Sequence, residues 1–254
     1  MKKYTLKRYR YTPAYILIDN VLRRLFETSI ELFTVPKLDA SFSHLPFSGR
    51  HAMQKLLREF KFNSILDIGS GQGLHAALLK DHNKQVSTID YGASEYFKEA
   101  SGAAFDSSNS IIADFNEHEF TCQYDAIWCS HVLEHQPNPN IFLRKIYSLL
   151  PDEGILAITV PPARKIITGG HLSNWSAGLL LYNLVLAGFD CKNASILKYD
   201  YNISIIVQKK QAICEDLGYD YGDIKKIKRF LPDLAFFSTG DDVSFNGNIF
   251  KVNW

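Results

Sequence analysis

The sequence predicts an α/β fold: a doubly wound, mostly parallel sheet with helices on both faces. Three observations predict it. From residue 64 onward, short apolar runs alternate with helical patterns, as in chains that build parallel sheets from strand–helix units. A glycine-rich loop joins the first of these runs to a helix. Finally, 254 residues with 46% hydrophobic and 22% charged content can bury the core of one large domain.

Seven strands and four helices are predicted in order along the chain. The strands are SILDI (64–68), QVSTI (85–89), SIIA (110–113), YDAIWC (124–129), GILAITV (154–160), ASILKY (194–199) and NISIIVQKK (202–210). The helices lie near residues 72–81, 94–101, 139–150 and 173–188. Pro139 suits a first helical turn and Pro151 stops that helix. For the last helix, Ser173 or Asn174 is the expected N-cap and Gly188 the terminator.

The flanks differ from this central pattern. Residues 1–60 are expected to form a helical N-terminal cap or lid, since AYILIDNVLRRLFETSIELF has the periodicity of an amphipathic helix. Residues 61–210 carry the strand–helix alternation. Residues 211–254 form a C-terminal extension, in which VSFNGNIFKV predicts a hairpin with Asn246-Gly247 at its turn.

Charge and composition exclude several classes of protein. The net charge of +1 gives no global field for nucleic acid, although the first ten residues, MKKYTLKRYR, are a local basic arm. No apolar run reaches the ~18 residues of a membrane-spanning helix, so we expect no membrane span. The scattered cysteines predict reduced thiols and a cytoplasmic location; they are Cys122, Cys129, Cys191 and Cys214.

The glycine loop ILDIGSGQG is the most specific string in the sequence. Its glycines, Gly69, Gly71 and Gly73, allow a tight turn and the close approach of a ligand. A phosphate-binding loop would need a lysine and a hydroxyl at a fixed spacing that this chain lacks. The dinucleotide fingerprint fails as well, because Leu74 stands where its third glycine would be.

Three successive strands each end near an acidic residue. Asp67 lies at the end of the first, Asp90 at the end of the second, and Asp114 follows the third. The carboxyl ends of parallel strands share one edge of the sheet, where ligands of such folds bind. Asp90 stands where an acid can accept hydrogen bonds from both hydroxyls of a ribose.

This ordered series resembles the class I S-adenosylmethionine-dependent methyltransferases over roughly residues 60–210. The resemblance implies a seven-stranded sheet with an antiparallel last strand, S-adenosylmethionine as cofactor and S-adenosylhomocysteine as product. It implies that the glycines line the methionine part of the cofactor, Asp67 its amino group, Asp90 the ribose and Asp114 the adenine. The full set of implied cofactor-binding residues is Asp67, Gly69, Ser70, Gly71, Gly73, Asp90, Tyr91, Ala113, Asp114, Phe115, Ser130 and His131.

The string SHVLEHQPNP contains H-x-x-E-H, a pattern that can hold zinc when it is helical. Here a strand directly precedes it and Pro137 disfavours helical geometry at Gln136, so we expect no metal. His131 and His135 are instead candidates for a general base beside the transferred methyl, as is His171 in the loop ITGGHLSNW. Loop-stabilising or helix-capping roles for these residues remain open alternatives.

The resemblance implies methyl transfer to a small molecule or to a sugar or glycan precursor, at oxygen or nitrogen. The C-terminal FNGNIFKVNW weakly resembles methyltransferases of bacterial surface-glycan pathways. An RNA methyltransferase and a non-catalytic, cofactor-binding scaffold subunit are the alternatives, and a zinc hydrolase is a remote one. We do not expect nucleic acid as a partner, and the oligomeric state is open.

Overall fold

The structure is a computed structural model that describes residues 13–94, 97, 109–214, 216–233 and 244–254. The chain divides into two compact units, residues 1–35 and 36–254. The described part of the first is essentially one helix, α1 (Pro13–Thr34). No helix in these described ranges is long and apolar enough to cross a bilayer.

An eight-stranded sheet in the order β3-β2-β1-β4-β5-β7-β6-β8 organises the second unit. The first five strands are parallel, and β7, β6 and β8 are antiparallel to their neighbours. Their bounds are β1 Ser64–Ile68, β2 Gln85–Asp90, β3 Ser110–Ile112, β4 Ala126–Ser130, β5 Ile155–Val160, β6 Ser195–Tyr199, β7 Asn202–Gln208 and β8 Lys251–Val252. The doubly wound α/β class is confirmed, with one strand more than the seven expected.

The extra strand lies in the C-terminal extension, where a hairpin was predicted. The described residues 244–250 contain no strand, and β8 pairs with the edge strand β6 through Ile196 and Val252. Gly247 accepts a backbone hydrogen bond from Gly178 at 3.0 Å instead of turning a hairpin. The tail thus packs on a helix and covers a sheet edge that would otherwise present unpaired backbone groups.

Helices α2 (Ala40–Ser43) and α3 (Arg50–Glu59) belong to the same compact unit as the sheet. The sequence placed residues 36–60 in an N-terminal cap. Met53 and Leu56 of α3 are instead fully buried in a core cluster with Trp128 of β4. The apolar face of α3 therefore covers one face of the sheet.

Among the described residues, further α-helices are α4 (Leu74–Asp81), α5 (Pro139–Leu149), α6 (Ala177–Leu186) and α7 (Asp223–Ile227). The expected helix near 94–101 falls almost entirely outside the described residues. Pro139 begins α5, as predicted. The N-cap of α6 is Ser176, whose side chain accepts from the Leu179 N–H, and not Ser173 or Asn174. Ser173 lies outside the helix because its N–H is directed to the Glu134 carbonyl.

Strand order reverses between β1 and β4, which opens a crevice at the carboxyl edge of the sheet. The antiparallel strand β7 starts at this same edge, since Val160 at the end of β5 pairs with Ile203. The edge therefore collects the ends of five parallel strands and the start of β7.

Candidate active site

The glycine loop adopts a backbone that side chains rarely tolerate. Gly69, Gly71 and Gly73 have φ values of +71°, +51° and +77°, all in the left-handed region. A Cβ on Gly69 would lie 2.3 Å from Cγ2 of Val132, which follows β4. The loop after β1 is therefore pressed against the loop after β4.

Asp90 ties the glycine loop to the end of β2. Its Oδ2 accepts from the Gly71 N–H and its Oδ1 from the Gly92 N–H, both at 2.9 Å. The residue is only 7% exposed. Each carboxylate oxygen has a second lone pair, so Asp90 can accept further donors from a bound diol.

Asp67 is a buried acid on β1, and its Oδ2 has no hydrogen-bond partner among the described residues. Burial, with the negative charge of Asp90 as a second cause, raises the pKa of Asp67 to about 7. A cationic ligand group near this carboxyl would favour its charged form. The unpartnered oxygen, the glycine backbone and Asp90 therefore fit the ammonium and ribose groups of S-adenosylmethionine.

The third strand end is less specialised. The Ala113 N–H donates to the Asp90 carbonyl at 3.0 Å, which holds this segment beside β2. Asp114 is exposed, and its Oδ1 accepts from the Asn116 N–H at 2.7 Å, as in an Asx turn. The Phe115 ring packs in the core against Phe142. Phe115 therefore packs in the core at the end of this strand, and its predicted contact with the cofactor stays a prediction.

The H-x-x-E-H string is not a regular helix. Strand β4 ends at Ser130, His131 has a φ of +56°, and only Leu133–His135 forms a 3₁₀ turn. Nε2 of His131 lies 2.9 Å from Oδ1 of Asn202, and its Nδ1 lies 3.3 Å from Oε1 of Glu134. The helical two-histidine face of a zinc peptidase is thus not formed.

The surroundings of His131 favour its charged form. Burial opposes its charging, but hydrogen bonds to Glu134 and Asn202 outweigh burial and raise the pKa of His131. Both ring nitrogens face acceptors, so the protonated imidazole satisfies both. Glu134 is fully buried, and we infer that His131 is the counter-ion that stabilises its carboxylate.

His135 lies near the same carboxylate but is held differently. Its Nδ1 lies 2.8 Å from the Gly170 carbonyl oxygen, so Nδ1 is the donor in the neutral ring and Nε2, 3.9 Å from Oε1 of Glu134, carries the lone pair. The His171 ring is perpendicular to the His135 ring, with 5.0 Å between centroids. Burial lowers the pKa of His171, and the His135 and His131 charges add to this against the raising effect of Glu134. His171 is therefore a neutral imidazole near neutral pH.

The loops carrying these histidines are joined through Glu134, whose carbonyl accepts from the Leu172 N–H at 2.7 Å. Glu134, His135 and His171 each offer one ligand atom within 4.8 Å of the others, the group among the described residues that could hold a metal ion. The expectation that the site uses no metal stays a prediction.

Several residues of this region carry no motif in the sequence. The buried Oγ of Ser130, one of the implied cofactor-binding residues, and the indole N–H of Trp128, which the sequence did not single out, both lack partners in the described structure. Gly49, at the start of α3, faces both side chains: a Cβ there would lie 3.1 Å from the Trp128 ring and 3.5 Å from Ser130 Oγ. For Asn202, the sequence signal of a site residue is its polar side chain at the start of a predicted strand.

Comparison with known proteins gives consistent matches. Residues 42–182 match the family model described as a methyltransferase domain. A ubiquinone biosynthesis O-methyltransferase from Actinobacillus pleuropneumoniae serotype 7 is 28% identical over 100 residues, which cover 36% of this chain and 43% of that protein. One from Glaesserella parasuis is 28% identical over 103 residues, covering 37% and 44%. The chain thus spans less than half the length of the curated relatives it matches.

A solved structure shares the fold at low identity. The SAM-dependent methyltransferase from Archaeoglobus fulgidus superposes with a TM-score of 0.51 and 18% identity, covering 67% of this chain and all of that one. This likeness supports the architecture of the sheet.

Proposed function

Because the chain belongs to the methyltransferase domain family, we propose that it transfers a methyl group from S-adenosylmethionine to an oxygen or nitrogen of a small molecule or sugar precursor. The observation that carries this proposal is the joining of the glycine loop to Asp90, with the unpartnered carboxyl of Asp67 beside it. Peptide N–H groups and acids at this edge suit a cationic amino acid joined to a ribose.

In this proposal the strand ends bind the cofactor. Asp90 accepts hydrogen bonds from the ribose hydroxyls, and Asp67 balances the ammonium group directly or through water. Ser70 and the three glycines line the methionine part, while Tyr91, Ala113 and Asp114 flank the adenine. The bound cofactor supplies a methyl group on a positively charged sulfur, a leaving group that needs no further activation.

The protein's own task is then to position the acceptor, exclude water and receive a proton. We assign the base to His135, whose Nε2 carries the lone pair of the neutral ring, 3.9 Å from Oε1 of Glu134, while Nδ1 donates to the Gly170 carbonyl. As the acceptor oxygen gains the methyl group, Nε2 takes the proton that the oxygen loses. His171 packs against the base, and His131 with Glu134 positions the loop.

A small acceptor fits better than RNA, because the net charge of the chain is only +1. The curated relatives are named for O-methylation in ubiquinone biosynthesis. A sugar N-methyltransferase from Streptoalloteichus, at a TM-score of 0.50 and 16% identity over 62% of this chain and 85% of its own, shares the fold. The free cysteines suit a reducing compartment, and we place the reaction in the cytoplasm.

Calorimetry with S-adenosylhomocysteine tests the cofactor half of this proposal. We expect micromolar binding that Asp90→Asn weakens roughly tenfold to a hundredfold, since hydrogen bonds to a charged group contribute about 1.5–3 kcal/mol. The exposed Asp152→Asn is the matched control and should bind like wild type. Absence of wild-type binding would overturn the proposal. Binding without methyl uptake in any extract screened by mass spectrometry would favour the scaffold alternative.

A further inference from the structure

Helix α1 carries a broad apolar face that the structure leaves exposed. Six large apolar side chains are between 58% and 90% exposed; they are Ile18, Leu22, Leu25, Phe26, Leu32 and Phe33. At 100° per residue, these positions fall within an arc of about 120° on one side of the helix. Such a concentration of exposed large apolar side chains marks an interaction surface.

The hydroxyl of Ser29, a described side chain within this arc, does not oppose an apolar environment. Ser29 Oγ donates to the Leu25 carbonyl at 2.8 Å, so its hydrogen is already satisfied inside the helix. The apolar face can therefore be buried away from water while the Ser29 hydroxyl keeps its hydrogen-bond acceptor.

The charge of the N-terminal unit differs in sign from that of the rest of the chain. Residues 1–35 contain seven Lys and Arg against three Asp and Glu, a net charge of +4. Because the whole chain is +1, residues 36–254 carry −3. The first 18 residues contain five of these cations and no acid. Most of the positive charge of this unit thus precedes α1 in the sequence.

We propose that residues 1–34 bind the surface of a membrane rich in anionic lipid, with α1 lying in the interface plane. The apolar face enters the boundary between headgroups and acyl chains, and the basic arm pairs with anionic headgroups. Interfacial helices use these two signals together, because either alone gives only weak, reversible binding. A second copy of the chain explains the observations less well, since parallel pairing of two α1 helices would bring two basic arms together.

Vesicle flotation of the full chain tests this proposal. The vesicles are phosphatidylcholine alone, or phosphatidylcholine with a third of phosphatidylglycerol. We expect binding to the anionic vesicles that weakens as the salt concentration rises, because dissolved ions screen the attraction between the basic arm and the anionic headgroups. The double variant Phe26→Ser with Phe33→Ser should lower partitioning about tenfold or more, through the apolar area it removes. Replacing Lys2, Lys3, Lys7, Arg8 and Arg10 with Gln should abolish the preference for anionic vesicles.

The matched control is Ile141→Ser on α5, which removes an apolar side chain that is 59% exposed outside the N-terminal unit. It should bind vesicles like wild type. Circular dichroism and S-adenosylhomocysteine binding verify that every variant is folded. Equal binding to both vesicle types, or none to either, overturns the proposal. So does a dimer in light scattering that the Phe26 and Phe33 changes dissociate, or an arm that binds an RNA oligomer but no vesicle.

Discussion

The proposed cofactor half and the proposed acceptor half of the candidate site are built in different ways. In the cofactor half, Asp90 binds the backbone of Gly71 and Gly92, which lie 19 and 2 residues away in sequence. In the acceptor half, His131 binds Asn202 across 71 residues and His135 binds the Gly170 carbonyl across 35. The first half depends on local backbone conformation, and the second on side chains from separate loops.

This difference corresponds to a division between the residues proposed to bind the cofactor and those proposed to take part in methyl transfer. In the proposed function, peptide N–H groups and strand-end acids bind the cofactor and make no contact with the acceptor, so their arrangement can stay local. Loops at the sheet edge tolerate change, which suits the part of the site that meets the acceptor. The comparison leads us to expect that changes in the acceptor half alter turnover, while changes in the cofactor half alter affinity.

The largest expected effect is on turnover, from His135→Ala in the acceptor half. Once methyl uptake has identified an acceptor hydroxyl, kcat should fall about 10²- to 10⁴-fold, the usual contribution of a general base. Affinity for S-adenosylhomocysteine should stay within twofold of wild type. Steady-state kinetics and calorimetry together measure this division.

His171→Ala is the matched control for His135, since it removes a neighbouring imidazole that is not assigned the proton. It should lower kcat less. The two variants could instead lose equal activity, with the same loss when the wild type is treated with a chelator. In that case Glu134, His135 and His171 together hold a metal ion. That result would replace the assignment of His135 as base.

An intermediate effect is expected in the cofactor half from Gly69→Ala. The new Cβ would meet Val132 Cγ2 at 2.3 Å, in a backbone with φ of +71°. We expect the free energy of unfolding in urea to fall by roughly 1–3 kcal/mol, with weaker S-adenosylhomocysteine binding. Adding Val132→Ala should restore only the part of the loss that comes from the clash.

Gly169→Ala is the control for this change, because nothing lies within 4 Å of a Cβ at that position. It tests whether alanine at a loop glycine is harmful in itself. If Gly169→Ala destabilises the protein as much as Gly69→Ala, the contact between the two loops does not explain the effect.

The same contrast explains what could be predicted from the sequence. The strands and the glycine loop have local signals: periodicity, Asp67 and Asp90 at strand ends, and three glycines. The sequence also indicated that Pro137 would keep the H-x-x-E-H string from forming a helix, and the structure has only a 3₁₀ turn there. These features depend on residues close together in the chain.

The rest depends on contacts between distant segments. Nothing local indicates that Asn202 faces His131, or that Glu134 receives the N–H of Leu172 and thereby draws His171 to His135. The hairpin predicted at Asn246-Gly247 does not form, for the same reason. Its turn signal is strong, but contact with Gly178 and pairing of β8 with β6 outweigh it.

The smallest expected effect is a pH dependence of cofactor affinity from Asp67. This carboxyl has a folded pKa of about 7, so it is largely protonated below that pH in the unbound protein. An ammonium group beside it favours the charged form, so binding releases a proton. Affinity for S-adenosylhomocysteine should therefore rise between pH 5 and 7, by at most about tenfold per pH unit, and then level off. Calorimetry across this range measures the slope.

The unbound protein provides an independent measurement of the same group. The pKa of Asp67 is raised from 3.8 to about 7 on folding, so between these pH values the folded state binds more protons than the unfolded state. The free energy of unfolding that this group contributes is therefore lost as the pH rises from 3.8 to about 7. Asp67→Asn should remove both slopes, the rise in affinity and the fall in stability, while Asp152→Asn keeps both. If affinity in Asp67→Asn still rises with pH, another group senses the cofactor's charge, and the cofactor half would then depend on more than its backbone and strand-end acids.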